Sequence, residues 1–195
     1  MEKGRLVLEN LTKEGKKKIL NKLEDAFADI LDALGAPDND LNFRDTPNRC
    51  ARALLDDFIA DDFEISEFEE EPFDGMITWP SHTVWTRCPH HLERVGIRVC
   101  ASYIPRSSRV VGLSKPIRLM DYLAKGCILQ ETYTRLLADE IMDHLEPEGC
   151  GVHTEARHQC MQCRGVRTHS PVRMTILRGS FAYSRSIKEE FLRNV

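Results

Sequence analysis

The sequence predicts an α+β fold in which N-terminal helices precede an antiparallel sheet with two helices set between its hairpins. Three observations predict it. Apolar residues recur at helical spacing as far as Phe58. Beyond Gly75 the pattern turns to strand-like runs of β-branched and aromatic residues. Two further helical stretches interrupt those runs.

The first helix lies between Leu11 and Gly35, with Ile19, Leu20, Leu23, Phe27, Ile30, Leu31 and Leu34 along its apolar stripe. Thr12 is its expected N-cap and Gly35 its C′ stop, since a hydroxyl accepts an orphan amide and glycine tolerates the left-handed turn. A second helix starts at Thr46-Pro47, with Thr46 as cap and proline in the first turn, and runs through Ala51, Leu54, Leu55 and Phe58. Residues 61–74 are acidic and read as a loop whose Phe63, Phe68 and Phe73 dock on the body. Residues 95–104 and 109–113 read as strands joined in a hairpin by Pro105-Arg106-Ser107-Ser108. Ser114 is placed to cap a helix through Ile117, Met120, Tyr122 and Leu123, and a longer helix follows over residues 129–145. Residues 151–156 and 173–181 form a second expected antiparallel pair. Ser186-x-x-Glu189 signals a capping box for a short terminal helix. The change of pattern divides the chain into a helical region with its acidic loop, residues 1–80, and a sheet domain, residues 81–195.

Composition narrows the class. The 195 residues are 42% hydrophobic and 30% charged with 11 Gly and 9 Pro, which excludes collagen-like and low-complexity chains. No apolar run approaches the ~20 residues that span a bilayer. The start, Met1-Glu2-Lys3-Gly4-Arg5, lacks a signal peptide's apolar core, so a cytoplasmic location is expected. Seven cysteines in such a chain point to metal ligation or buried thiols rather than a disulfide framework. The net charge of −4 is unevenly spread. Residues 1–80 carry 10 Lys+Arg against 20 Asp+Glu, and residues 81–195 carry 17 against 11. That basic excess suits a small anionic ligand and is too weak to argue for nucleic acid.

Two clusters carry chemistry. Cys88-Pro89-His90-His91 places a thiolate and two imidazoles together, and His158-Gln159-Cys160-Met161-Gln162-Cys163 follows about 70 residues later. Zinc prefers these donors. Cys88, His91, Cys160 and Cys163 would make a closed structural site; three of them plus water would make a catalytic one. His90 and His158, left beside the ligands, favour the second because they are placed to move protons. Ser114-Lys115-Pro116-Ile117-Arg118 sets a hydroxyl and two cations at a helix start, an array suited to phosphate, and Arg164, Arg167 and Arg49 can add to it. Gln130-Glu131 opens the long helix with an amide beside a carboxylate that can accept from a guanine-like N–H edge.

These residues resemble the GTP cyclohydrolase I family. The resemblance rests on Asp45-Thr46-Pro47-x-Arg49, Cys88-x-His90-His91-Leu92, Tyr103-Ile104-Pro105 and Val111-Gly112-Leu113-Ser114-Lys115-x-x-Arg118. It continues through Gln130-Glu131, Glu155-Ala156-x-His158-x-Cys160-x-x-x-Arg164-Gly165 and Glu190-Phe191-Leu192. The resemblance implies a T-fold (tunnelling fold) catalytic domain over residues 81–195, in a toroidal homodecamer with active sites at subunit interfaces. It implies zinc held by Cys88, His91 and Cys160 with water at the fourth position. By the same resemblance, zinc-bound water attacks C8 of GTP while His90 protonates the ring, and His158 is a second proton-transfer histidine. Gln130 and Glu131 would read the guanine edge. Ser114, Lys115, Arg118 and Arg164 would contact the ribose and triphosphate, and Arg49 would reach in from a neighbouring subunit. The products would be formate and 7,8-dihydroneopterin triphosphate. GTP and other copies of the chain are the expected partners, with neither nucleic acid nor membrane among them.

Some positions depart from the family pattern. Pro89 stands where glutamate is usual, Thr132 where arginine is usual and Ile128 where glutamine is usual. Cys163 stands where the family generally has a non-ligating residue. The alternative reading is a non-catalytic, zinc-stabilised nucleotide-binding relative in which Cys163 closes the metal shell. A zinc nucleobase deaminase is disfavoured, because its His-x-Glu and Pro-Cys-x-x-Cys elements are missing.

Overall fold

The computed structural model describes residues 5–37, 40–60, 67–68, 73–106 and 110–195. In chain order the elements are β1 (Arg5–Leu6), α1 (Lys13–Ala33), α2 (Thr46–Phe58), β2 (Glu67–Phe68), β3 (Ile77–Arg87), β4 (Arg94–Ile104) and β5 (Val110–Val111). Then come α3 (Lys115–Ala124), β6 (Cys127–Ile128), α4 (Gln130–Leu145), β7 (Gly149–His158), α5 (Gln159–Gln162), β8 (Val172–Gly179), α6 (Ser180–Tyr183) and α7 (Arg185–Leu192). They fall into two compact units: Leu6–Asp62, and Met1–Arg5 with Phe63–Val195. This division lies at residue 62 and not at residue 80, where the change of pattern places it. The reason is pairing: β2, within the acidic stretch, is antiparallel to β5 of the larger unit.

In the smaller unit α1 packs against α2. The Thr12 hydroxyl accepts from the Gly15 N–H at 3.1 Å, and Gly35 ends the helix at φ 72°, both as the sequence predicts. Asn48 Nδ2 donates to Glu24 Oε2 at 2.8 Å across the pair. The start of α2 differs by one residue. Asp45 is the cap, and Thr46 is already helical, its hydroxyl donating to the Asn42 carbonyl at 3.3 Å.

The larger unit is built on a six-stranded sheet in the order β1-β6-β3-β4-β7-β8. From β3 to β8 the neighbours are antiparallel, with Trp85 opposite Gly96, Val95 opposite His158 and Ala156 opposite Val172. Side chains alternate between faces along each strand. One face carries Val84, Ile97, Val99, Val152 and Ala156 into a core with Met120 and Leu123 of α3 and Tyr133 and Leu137 of α4. On the other face Cys100 packs with Phe181 and Phe191, from α6 and α7. An antiparallel sheet with two helices on one face is the T-fold arrangement that the resemblance implies. Among the described residues no helix is long and apolar enough to cross a membrane.

Three expectations need correction. The hairpin partner of β4 is β3, not residues 109–113; β5 pairs with β2 instead, and residues 107–109 lie outside the described set. β3 escaped notice because Pro80-Ser81-His82 interrupts its alternation, and the register shifts at that point, between Trp79 and His82. The acidic segment contains a strand, and Phe73 is partly exposed rather than docked, while Phe63 lies outside the described residues. The terminal helix is capped by Ser184, which accepts from the Ile187 N–H, and Glu189 pairs with Arg185 at 2.7 Å instead of closing a box with Ser186.

Gly151 carries the close approach between β7 and the two terminal helices. A Cβ there would stand 2.9 Å from the Phe181 ring and 3.0 Å from the Phe191 ring. Both rings are fully buried and meet edge to face, so neither can yield. Gly151→Ala should therefore destabilise the chain by about 1–3 kcal/mol. A lower urea midpoint at unchanged m-value is the expected result; an unchanged midpoint would mean that the rings give way.

Candidate metal centre

The metal-ligand candidates meet at the loop between β3 and β4. Cys88 follows the last residue of β3, and its N–H donates to the Glu93 carbonyl at 2.8 Å. Its own carbonyl accepts from the Leu92 N–H at 2.9 Å. These bonds close the loop on itself and hold His90 and His91 outward, both exposed. Leu92 completes the turn at φ 56°, a conformation non-glycine residues adopt at a cost. Pro89 has no N–H to donate, and the loop is closed by the bonds of Cys88, Leu92 and Glu93 instead.

Cys160 enters from α5, just past the end of β7. Cys88 Sγ, a ring nitrogen of His91 and Cys160 Sγ all lie within 4.8 Å of one another. Cys88 Sγ stands 3.9 Å from His91 Nδ1 and 3.8 Å from His90 Nδ1. Ligand atoms around a tetrahedral zinc ion lie roughly 3.5–3.8 Å apart, so small rotations bring the three donors to bonding distance. The chemistry of the donors fits as well. Burial, and next the neighbouring Cys88 thiol, push the Cys160 thiol above its ordinary pKa. Two thiols side by side resist ionising together, and a divalent cation removes that penalty. Cys163 is exposed and is not part of this group.

His158 and Gln130 form the second feature. His158, the last residue of β7, places Nε2 3.1 Å from Gln130 Oε1. Gln130 opens α4 and is 2% exposed. Its Nε2 donates to the Val172 carbonyl at 3.0 Å and to Thr154 Oγ1 at 3.1 Å. A carbonyl only accepts, so the amide nitrogen must face Val172 and the amide oxygen must face His158. His158 therefore carries its proton on Nε2, leaving Nδ1 with a free lone pair. Burial lowers the His158 pKa, partly offset by the charge of Glu131.

All but one of the remaining candidates are exposed. Glu131 is exposed beside Gln130 on α4. Ser114 precedes α3 as its N-cap but makes no side-chain cap bond, and Arg118 is exposed one turn on. Lys115 is half-buried. Arg164 is exposed after α5. Arg49 belongs to the helical unit, where its guanidinium donates to the Asn42 carbonyl and to Thr46 Oγ1, each at 3.0 Å. Thr154 and Thr134 are the buried partners of Gln130 that motif reading passes over. Thr134 Oγ1 donates to the Gln130 carbonyl at 2.7 Å and lies 2.8 Å from Thr154 Oγ1. Two signals point to them: Thr154 shares strand parity with His158, and Thr134 lies one helical turn after Gln130.

The family model described as GTP cyclohydrolase I matches residues 23–195. The chain belongs to the GTP cyclohydrolase I family. Proteins named GTP cyclohydrolase 1 resemble it along most of their length. That of Carboxydothermus hydrogenoformans is 36% identical over 174 residues, 87% of this chain and 91% of the relative. That of Brevibacillus brevis is 33% identical over 178 residues, covering 89% and 95%. That of Latilactobacillus sakei is 30% identical over 178 residues, covering 88% and 94%. A crystal structure of an archaeosine synthase QueF-Like in the apo form aligns with TM-score 0.45 at 16% identity, over 56% of this chain and 97% of that one. Within this GTP cyclohydrolase I family member, the cysteines outside the group are packing residues of the sheet unit or lie apart from it. Burial raises Cys100 to about 11 and Cys150 to about 12, and it raises Cys127 too. In the metal-free native chain DTNB should thus label Cys163 first at pH ~8 and leave Cys100 and Cys150 untouched until urea is added. Peptide mass spectrometry reads the order; early labelling of Cys150 would contradict its burial.

Proposed function

We propose that this chain is a zinc-dependent GTP cyclohydrolase I, converting GTP and water to formate and 7,8-dihydroneopterin triphosphate. The observation that carries the reading is the convergence of Cys88, His91 and Cys160 in a chain of this family. Zinc bound by those three is a Lewis acid that makes water nucleophilic near neutral pH. The chain's own residues do the rest. His90, exposed beside Cys88, is placed to donate a proton to the imidazole ring of guanine as C8 is attacked. His158, held by Gln130 with its proton on Nε2, accepts or returns protons at Nδ1 as C8 leaves as formate.

The two residues at the head of α4 divide their roles. Glu131, exposed, accepts from the N–H edge of the base. Gln130 has both ends of its amide committed inside the fold, so its part is to position His158. Ser114, Lys115, Arg118 and Arg164 answer the roughly four negative charges of the triphosphate, with Arg49 supplied by a neighbouring copy. The exposure of Ser114, Arg118, Arg164 and Arg49 on one chain supports an assembly that completes each site at a subunit interface, and a homodecamer is the form we infer.

Purified, zinc-loaded chain given GTP should release formate and, after oxidation, a fluorescent neopterin. Cys88→Ala should lose zinc by elemental analysis and Cys163→Ala should keep it. His90→Ala should keep zinc and GTP binding while turnover falls by about 10²–10⁴-fold. Zinc loss in the Cys163 variant would favour the closed, non-catalytic site; a zinc-loaded oligomer that makes neither product would overturn the proposal.

The role of Gln130 has its own test. Gln130→Leu should lower kcat by about 10–100-fold through loss of the His158 partner, with KM for GTP nearly unchanged. A large rise in KM at steady kcat would make Gln130 a base reader instead.

A further inference from the structure

The face of the sheet opposite α3 and α4 is only partly covered. Near Gly151 and Cys100 the aromatic rings of Phe181 and Phe191 lie over it. Further along, β3, β4 and β7 frame a cavity of about 470 Å³ reached from solvent, within the size range of small-ligand pockets. Strand parity separates it from the metal group: Trp85, Gly96, Arg98, Glu155 and Arg157 point one way, and Val84, Thr154 and Ala156 point the other.

The lining is not that of an ordinary solvated sheet face. Trp85 is 57% exposed, and its six-membered ring lies over Gly96, the residue opposite it on β4. A Cβ at Gly96 would stand 3.1 Å from that ring, so glycine is what lets the indole lie flat. The outer face of the indole is left as a plate. The lining adds the guanidinium groups of Arg98 and Arg157 and the carboxylate of Glu155. Glu155 takes Arg173 at 2.6 Å and Arg98 at a longer 3.5 Å. Arg157 is exposed and makes no hydrogen bond or ion pair within 4 Å among the described residues, though its charge acts on Glu155. The cavity wall thus holds one positive charge in excess of its carboxylate. Gln159 and Gln162 complete the lining.

We propose that this cavity is a second ligand site, separate from the metal group, for a small planar anion: a heteroaromatic ring bearing a phosphate. The ring stacks on Trp85, and the phosphate takes the fork of Arg157 with help from Arg98. Glu155 is not a ligand; clamped by Arg173, it keeps Arg98 directed into the cavity. A ring without charge leaves Arg157 unpaired, and an anion without a ring leaves the indole wet, so both parts are required. The inference does not depend on the zinc reading.

The probe is 5′-AMP, with adenosine and inorganic phosphate as its two halves, added to the full-length chain. Calorimetry should find one AMP per chain with quenching of tryptophan emission, and each half alone should bind at least ~10-fold more weakly. Trp85→Leu should abolish the quench and weaken AMP by about 10-fold or more, and Arg157→Gln should weaken it by about 5–10-fold. Both variants should keep the wild-type urea midpoint, zinc content and GTP turnover. AMP binding should also survive Cys88→Ser, which separates it from any failure at the metal group. Binding that is unchanged in both cavity variants, that vanishes with the metal, or that is undetectable at ~5 mM AMP would overturn the proposal.

Discussion

Everything near the candidate site depends on satisfying one buried amide. Gln130 sits at 2% exposure where α4 meets β7 and β8, and an amide left unpaired at such a place costs roughly 1–3 kcal/mol. The fold meets that demand from three elements: Val172 at the start of β8, Thr154 in the middle of β7 and His158 at its end. The same bonds therefore set where α4 begins, how β7 and β8 are registered and which way the imidazole of His158 turns. Stability and chemistry share the same atoms. A change that loosens the helix start also frees the histidine.

Strand parity then distributes function over two faces. Because β7 alternates, Thr154, Ala156 and His158 serve the helical side while Glu155 and Arg157 serve the other. α5 joins the two, since Cys160 in the metal group is flanked by Gln159, which lines the opposite cavity. Four residues of helix following a strand thus connect both sites. A one-residue slip in the β4–β7 register would exchange the two faces and destroy both at once.

How much of this was legible in the sequence depends on the range of the interaction. Thr12 and Gly35 were readable because capping acts within one turn, and the hydrogen bond from Gly15 confirms the reading. Ser184 was missed in favour of Ser186 because two serines two apart offer the same local signal, and packing of Phe191 chooses between them. Short spacings of soft donors made the two clusters legible, and the family resemblance singled out Cys88, His91 and Cys160, which the fold brings together. The pairing of Gln130 with Thr154, His158 and Val172 was not, since it spans 24 to 42 residues and appears only once the sheet is assembled. β3 was hidden for a similar reason: Pro80 breaks the local pattern, and only pairing with β4 restores the strand.

The same distinction explains why Pro89 is tolerated between two residues of the candidate metal group. The loop is held by bonds made at its ends, by Cys88, Leu92 and Glu93, together with the Arg87 guanidinium on the Leu92 carbonyl at 2.7 Å. Those bonds close the loop without position 89, and the fixed φ of proline there removes freedom from the unfolded loop. The cost of the turn is carried at Leu92, in the left-handed region, where the chain must reverse to enter β4. Rigidity at 89 and strain at 92 bracket His90 and His91. Of these two neighbouring imidazoles only His91 joins the group with Cys88 and Cys160, and a loop fixed at both ends keeps their backbone directions distinct.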